Sequence, residues 1–182
     1  MSASLIVELR QYTLHPGARD TLIELFEREF VTGQEAAGIA VGGRFRDLDD
    51  PDRFVWLRAF PDMASRRRSL EAFYGGPVWR EHREAANATM VDSDNVLLLR
   101  GPGFVAVDAE VRATVCHPPD AAAFDAYAAR HLGPSQVVHR TEHAVNDFPA
   151  LPVREGEDVR VWFNGPEELP PWRSQRLRLA RV

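Results

Sequence analysis

The frame Glu-x-Arg, followed by His-Pro, occurs twice in this chain. It is carried by Glu8, Arg10, His15 and Pro16, and again by Glu110, Arg112, His117 and Pro118. Each member of the second set lies 102 positions after its counterpart, as Glu110 does after Glu8. Repetition at a fixed offset points to one structural unit built twice. A fold for these 182 residues must therefore hold two related units of roughly 90 residues, near the lower end of domain sizes.

The first copy sits in an alternating stretch. Leu5, Val7 and Leu9 interleave with Glu8, Arg10 and Tyr12, which is the period of a strand. The apolar face is expected to pack against helices. The charged and aromatic face is expected to meet water, a paired network or a polar cavity. His15-Pro16-Gly17 ends the strand, and Pro16 suits the first turn of a helix.

Leu22, Ile23, Phe26 and Phe30 share a helical face, which predicts a helix to about Phe30, with a Glu24–Arg28 surface pair and Gly33 as its stop. Strands over 39–48 and 54–60 flank the turn-rich 47–52. Pro61-Asp62 opens a helix through Arg66-Arg67-Arg68, read as a solvated face, to about Tyr74. Gly75-Gly76-Pro77 breaks it, a further helix spans Val78 to about Met90, and a strand over 94–100 follows. The order β-α-β-β-α-β is the ferredoxin-like signature.

After Gly101-Pro102-Gly103 the order restarts, with a strand over 105–116, a helix over 120–132 and strands over 136–145, 158–164 and 175–182. Val161-Trp162-Phe163 answers Val55-Trp56-Leu57, but Pro166 to Ser174 leaves no room for a long helical segment. The expectation is an α+β protein of two tandem ferredoxin-like units. Residues 1–101 form the first, and residues 102–182 the second, with a degenerate second helix. Their antiparallel sheets pack as a dimeric-α/β-barrel-type structure.

Composition works by exclusion. A net charge of -5 gives no general attraction to nucleic acid or to an anionic membrane. All 22 basic residues are Arg, so lysine Schiff-base and P-loop chemistry has no side chain to use. Cys116 stands alone, so no intrachain disulfide can form, and Leu14 at the matching place marks it as a buried small hydrophobe. No apolar run reaches spanning length, and a cytoplasmic location is expected.

Three groups of residues resemble the NIPSNAP family. They are Glu8-x-Arg10-x-Tyr12 with Pro16, Phe54-Val-Trp56 with Phe60-Pro61-Asp62, and Phe73-Tyr74-x-Gly76-Pro77-x-Trp79-x-x-His82-Arg83-x-x-x-Asn87. The resemblance covers the first half well and the second more weakly. It implies a tandem ferredoxin-like, dimeric α/β-barrel fold and little about activity. Fold relatives include cofactor-independent monooxygenases and haem-binding enzymes, an analogy that does not carry function.

Three constellations are candidates. Trp79, His82, Arg83, Asn87 and Met90 are expected on one helix. If its inner face covers the sheet, Tyr12, Trp56, Trp79, Arg83 and Asn87 would bind a ligand, and His82 would act as a base or as a metal or haem ligand. The competing reading is a core Trp79 and a hydrogen-bonded His82. Glu8, Arg10, Glu110 and Arg112 are expected to hold the two halves together as a structural ion-pair network. His139 and His143 are roughly 13 Å apart along a strand, so with His117 they make no metal site.

Two function classes follow. One is small-molecule binding, extending to a cofactor-independent enzyme acting on a hydrophobic or aromatic compound in the helix–sheet cleft of the first unit. The other is a non-catalytic interaction or scaffold protein with a packed barrel. The expected partners are a small hydrophobic ligand and a second copy of the chain as a homodimer. No cofactor, metal, nucleic acid or membrane is expected.

Overall fold

Strand β1 (Leu5–Leu14) is flanked on both sides, by β3 (Arg53–Phe60) and by β4 (Met90–Gly101). A computed structural model describes residues 3–104 and 108–182 of the chain. Between β1 and β3 run α1 (Arg19–Leu25), a π-helical stretch (Phe26–Phe30), α2 (Val31–Ala36) and β2 (Ala40–Asp47). Helices α3 (Met63–Tyr74) and α4 (Pro77–Asn87) lead into β4. The second half holds β5 (Glu110–Cys116), α5 (Ala121–His131), β6 (His139–Thr141), β7 (Arg160–Phe163) and β8 (Ser174–Arg181).

The eight strands close an antiparallel barrel in the order β1-β3-β2-β8-β5-β7-β6-β4. Within it the first half reads β4-β1-β3-β2 and the second β8-β5-β7-β6, so each half repeats one strand order. Two seams join them. β2 meets β8 through Phe45, Arg46 and Asp47, and β4 meets β6 through Leu99 and Arg100.

The barrel closes around an aliphatic interior that includes Val7, Leu9, Leu57, Leu97, Val111, Val161 and Leu177. This reverses the expected facing of β1. Its Val7 and Leu9 point into the barrel, and Glu8, Arg10 and Tyr12 lie under the helices. The reason is closure. A closed barrel makes its own interior the dry compartment, filled by the aliphatic face of every strand. The opposite face of the first half, with Ile6, Tyr12, Phe54, Trp56 and Phe60, then packs against Leu22, Phe26, Phe30, Leu70 and Phe73. A smaller cluster of Cys116, Phe124 and Trp162 covers the second half under α5.

Helix termini follow their side chains. Asp62 and Asp120 accept hydrogen bonds from the Ser65 and Ala123 amides at 2.7 Å, capping α3 and α5. The first helical segment does not stop at Gly33. It continues to Ala36, and Gly38, at φ 87°, makes the turn into β2. Gly33 instead lies against α4 and α3: a Cβ there would lie 3.0 Å from Val78 Cγ1 and 3.2 Å from Phe73 Cε2. The π-helical stretch shifts the helical register, and Arg28 pairs with Glu29 at 2.9 Å, not with Glu24.

The expected strand over 136–145 shortens to His139–Thr141. Past it the chain leaves the barrel and crosses the helices of the first half, where Phe148, Leu151 and Val153 join the first core. The strand expected over 105–116 begins at Glu110, and residues 105–107 lie outside the described residues. No helix fills 164–173, in keeping with the short spacing there.

Candidate functional site

The pairing of β1 with β3 sets Glu8 beside Arg58, Arg10 beside Trp56, and Tyr12 beside Phe54. Six charged or aromatic side chains thus share one face under the helices. Glu8 is fully buried and takes three guanidinium groups: Arg10 and Arg58 at 2.6 Å on Oε2, and Arg66 at 2.8 Å on Oε1. Burial alone would raise the Glu8 pKa, but Arg58, Arg10 and Arg66 together hold it well below the usual carboxylate range.

Arg66 comes from α3, within the run read as a solvated face. Arg67 and Arg68 are exposed, but Arg66 is fully buried. The signal was its spacing: Arg66, Leu70 and Phe73 recur at one helical face. From the second half, Asn146 Oδ1 accepts from Arg66 Nη1 at 3.0 Å, and Asp147 stands at 3.6 Å.

Next to this network lies a cavity of about 240 Å³. Arg10, Tyr12 and Trp56 form its floor. Phe26, Phe30 and Gln34 line it from the first helical segment, Phe73 and Tyr74 from α3, and Trp79 and Asn87 from α4. Phe148 and Leu151 of the crossing segment close one side. The aromatic rings meet mostly edge to face, with Phe26–Trp56 centroids 4.7 Å apart and Tyr74–Trp79 5.0 Å apart. The π-helical stretch supplies Phe26 and Phe30, and such bulges recur at functional sites.

The polar groups of the wall are held in fixed orientations. Arg10 Nε donates to Tyr12 Oη at 3.1 Å. Arg58 Nη1 donates to Tyr74 Oη at 3.1 Å and to Gln34 Oε1 at 3.0 Å. Gln34 Nε2 donates to the Phe30 carbonyl oxygen at 3.2 Å. Burial raises the Tyr12 pKa against the pull of Arg10, so the hydroxyl keeps its proton. Trp56 meets two cations, with the Arg10 and Arg58 guanidinium carbons 5.5 and 5.2 Å from its ring centroid.

The expected site residues divide. Tyr12, Trp56, Trp79 and Asn87 are brought together around the cavity. Arg83 is exposed and does not line it. His82 does not line it either: the ring lies at the edge of Phe30, with Nε2 3.6 Å from Glu29. Helix α4 presents Trp79 to the cavity, and His82, one turn on, falls over the π-helical stretch. The expected network between halves does not form as one unit. Glu8 and Arg10 bond each other, but Glu110 is exposed, and Arg112 turns to Glu167 and the Gly165 carbonyl oxygen at 3.3 Å. The residues missed from sequence are Gln34, Arg66, Tyr74, Phe148 and Leu151. The last two carried no local signal, because they reach the site from the far half.

The remaining histidines do not converge. His117 meets Glu157 at 2.8 Å, His139 is buried against the Gly103 carbonyl oxygen at 2.9 Å, and His143 is exposed. Among the described residues no group of three or more His, Cys, Asp or Glu is placed to hold a metal.

With this geometry in place, the sequence comparison decides the family. The NIPSNAP profile matches residues 7–101, more than half of the chain. The chain belongs to the NIPSNAP family. Its cavity is built almost wholly from the matched region, with the crossing segment added from outside it. No protein of curated function matches the sequence. The fold is similar to that of a suspected monooxygenase of Lactobacillus acidophilus, at a TM-score of 0.62 and 13% identity, over 98% of this chain and 94% of that one. It is also similar to a suspected monooxygenase of Fusobacterium nucleatum, at a TM-score of 0.61 and 7% identity, over 100% of this chain and 94% of that one. A NIPSNAP family protein of unknown function from Agrobacterium tumefaciens aligns over 57% of this chain and 94% of its own, at a TM-score of 0.50 and 18% identity. At these identities the likeness is one of fold.

Proposed function

We propose that this NIPSNAP protein binds a small hydrophobic or aromatic compound in the cavity between the helices and the barrel of its first unit. The observation that carries the reading is the cavity itself. It is a cleft of about 240 Å³ that opens at Asn87 and Ala150 and runs in between the helices and the sheet. Here the space is walled by rings whose polar tips are locked from behind. That ring-walled space favours this reading over a scaffold protein with a fully packed barrel.

The likeness in fold to suspected monooxygenases is consistent with an enzyme acting on such a compound. Within this reading the chain is two ferredoxin-like units, residues 1–101 and 102–182, and the repeated strand order supports that division. Most of the ligand site is built by the first unit, with Phe148, Ala150 and Leu151 added from the second, and the second unit has no equivalent site of its own among the described residues. At the matching place in the second, Thr114 stands for Tyr12, Asn164 for Arg58, and Arg112 lies at the surface. A cytoplasmic site of action is part of the same reading.

The test uses tryptophan fluorescence, since Trp56 and Trp79 line the cavity. A panel of bicyclic aromatics, neutral and anionic, should quench the wild-type protein saturably and raise its Tm. Ala150, an exposed residue at the cavity rim, offers a way to block it: Ala150→Trp should abolish both effects while the fold persists by circular dichroism. Absence of saturable quenching by every member of the panel would overturn the reading.

A further inference from the structure

The buried network beside the cavity does not balance its own charge. Three guanidinium groups, of Arg10, Arg58 and Arg66, meet the one buried carboxylate of Glu8. Asp147 faces Arg66 as a second carboxylate. One positive charge is left over in a region where Arg10, Arg58 and Glu8 are each at most 1% exposed. Buried charge without a partner is costly, and a site that tolerates it is built to meet a counter-charge.

The hydrogen-bond pattern has the same sign. Each of two tyrosine hydroxyls already accepts from a guanidinium, Tyr12 from Arg10 and Tyr74 from Arg58. Each therefore has its own proton to give, and neither finds an acceptor among the described residues. Arg10 spends Nε on Tyr12 and Nη1 on Glu8, and its Nη2 donates to no described residue. Trp56 Nε1, Arg58 Nη2 and Arg66 Nη2 are buried without an acceptor among the described residues. No carboxylate lines the cavity among the described residues. Gln34 Oε1 is already occupied by Arg58, which leaves Asn87 and Ser93 as the neutral side-chain acceptors of the wall.

We propose that the ligand of this cavity is a flat apolar compound carrying one carboxylate, held by Arg10 together with the Tyr12 and Tyr74 hydroxyls. The inference rests on the reading of the cavity as a small-molecule site and adds the charge of the ligand. One excess positive charge matches a monoanion. The aromatic walls match the body of the molecule, and the bonded tyrosines fix where its head group lies. Charge-assisted hydrogen bonds in a dry site are strong, so the carboxylate accounts for much of the affinity.

The experiment compares 2-naphthoate with naphthalene-2-carboxamide, which share a ring system and differ in charge, by calorimetry and tryptophan quenching on the 182-residue chain. Wild type should bind naphthoate at least about tenfold more tightly than the carboxamide, a difference of about 1.4 kcal/mol. Arg10→Gln should remove most of that difference, weakening naphthoate far more than the carboxamide. Tyr12→Phe keeps the ring and the fold, and should weaken naphthoate about tenfold and the carboxamide less; it carries the test if the Arg10 variant fails to fold. Equal affinity of the two compounds for wild type would overturn the charge assignment and leave the cavity reading standing. A preference for naphthoate that survives both substitutions would place the anion elsewhere and also overturn it. If neither compound binds wild type, the inference falls, and the wider panel of bicyclic aromatics decides the reading beneath it.

Discussion

Glu8 shows how far one residue can organise its surroundings. It is the common acceptor for side chains from β1, β3 and α3, so its charge is what allows three arginines to be buried together. Glu8→Gln should cost about 3–5 kcal/mol in urea denaturation, the loss expected when a buried charged group loses its partner. Glu157 gives a pH-dependent counterpart. Its hydrogen bond to Arg154 is the largest influence, and with His117 it lowers the carboxyl from its ordinary 4.5 to about 2. A depressed acid contributes stability above its unfolded pKa and loses it on acidification. The Tm advantage of wild type over Glu157→Gln should therefore be complete above pH 4.5 and disappear as the pH falls toward 2. Cys116 is pushed up to about 11 by burial, so iodoacetamide should leave it unmodified at pH 8 in the native protein and alkylate it once the chain is unfolded.

Among elements, α3 matters most to the site. It delivers Arg66, Phe73 and Tyr74 to three different neighbours: the Glu8 network, the aromatic core and the cavity. Its start is fixed by Asp62, as that of α5 is by Asp120. Asp62→Ala and Asp120→Ala should each cost about 1 kcal/mol by chemical denaturation. Only Asp62→Ala should also weaken ligand-induced stabilisation, because α5 contributes nothing to the cavity. Much of this level was legible in the sequence. The periodicity of β1, the hairpin strands and the break at Gly75-Gly76 all appear close to their expected places. The end of the first helix was not legible, because Gly33 reads locally as a stop. Its actual role, a close approach by α4, depends on a neighbour more than forty residues away. The strand over 136–145 was overread for a related reason. Its alternation is genuine, but past Thr141 the chain finds better burial against the first-half helices than in the barrel.

For the whole molecule, the two halves complete one barrel, and each buries what the other leaves exposed. Val7, Leu9, Val55, Leu57, Leu97 and Leu99 are covered only because β5, β7 and β8 face them. A fragment of residues 1–101 should consequently self-associate through that face, as light scattering after size-exclusion chromatography would report; a stable monomeric fragment would contradict the shared interior. The second half also supplies Asn146 and Asp147 to Arg66, and Phe148 and Leu151 to the cavity wall. It is a lid and a counter-charge for a site it does not otherwise contain.

By itself the sequence determined the repeat, the strand and helix order, the membership that its motifs resemble, and four cavity residues: Tyr12, Trp56, Trp79 and Asn87. These follow from periodicity and local spacing, which a single chain displays directly. Tertiary structure alone decided which face of β1 points inward, that Glu8 and Arg10 form a network without Glu110 and Arg112, and that His82 stands away from the cavity. Alternation states that a strand has two faces. Which of them is the dry one is set by closure of the barrel, and closure is a property of all eight strands together.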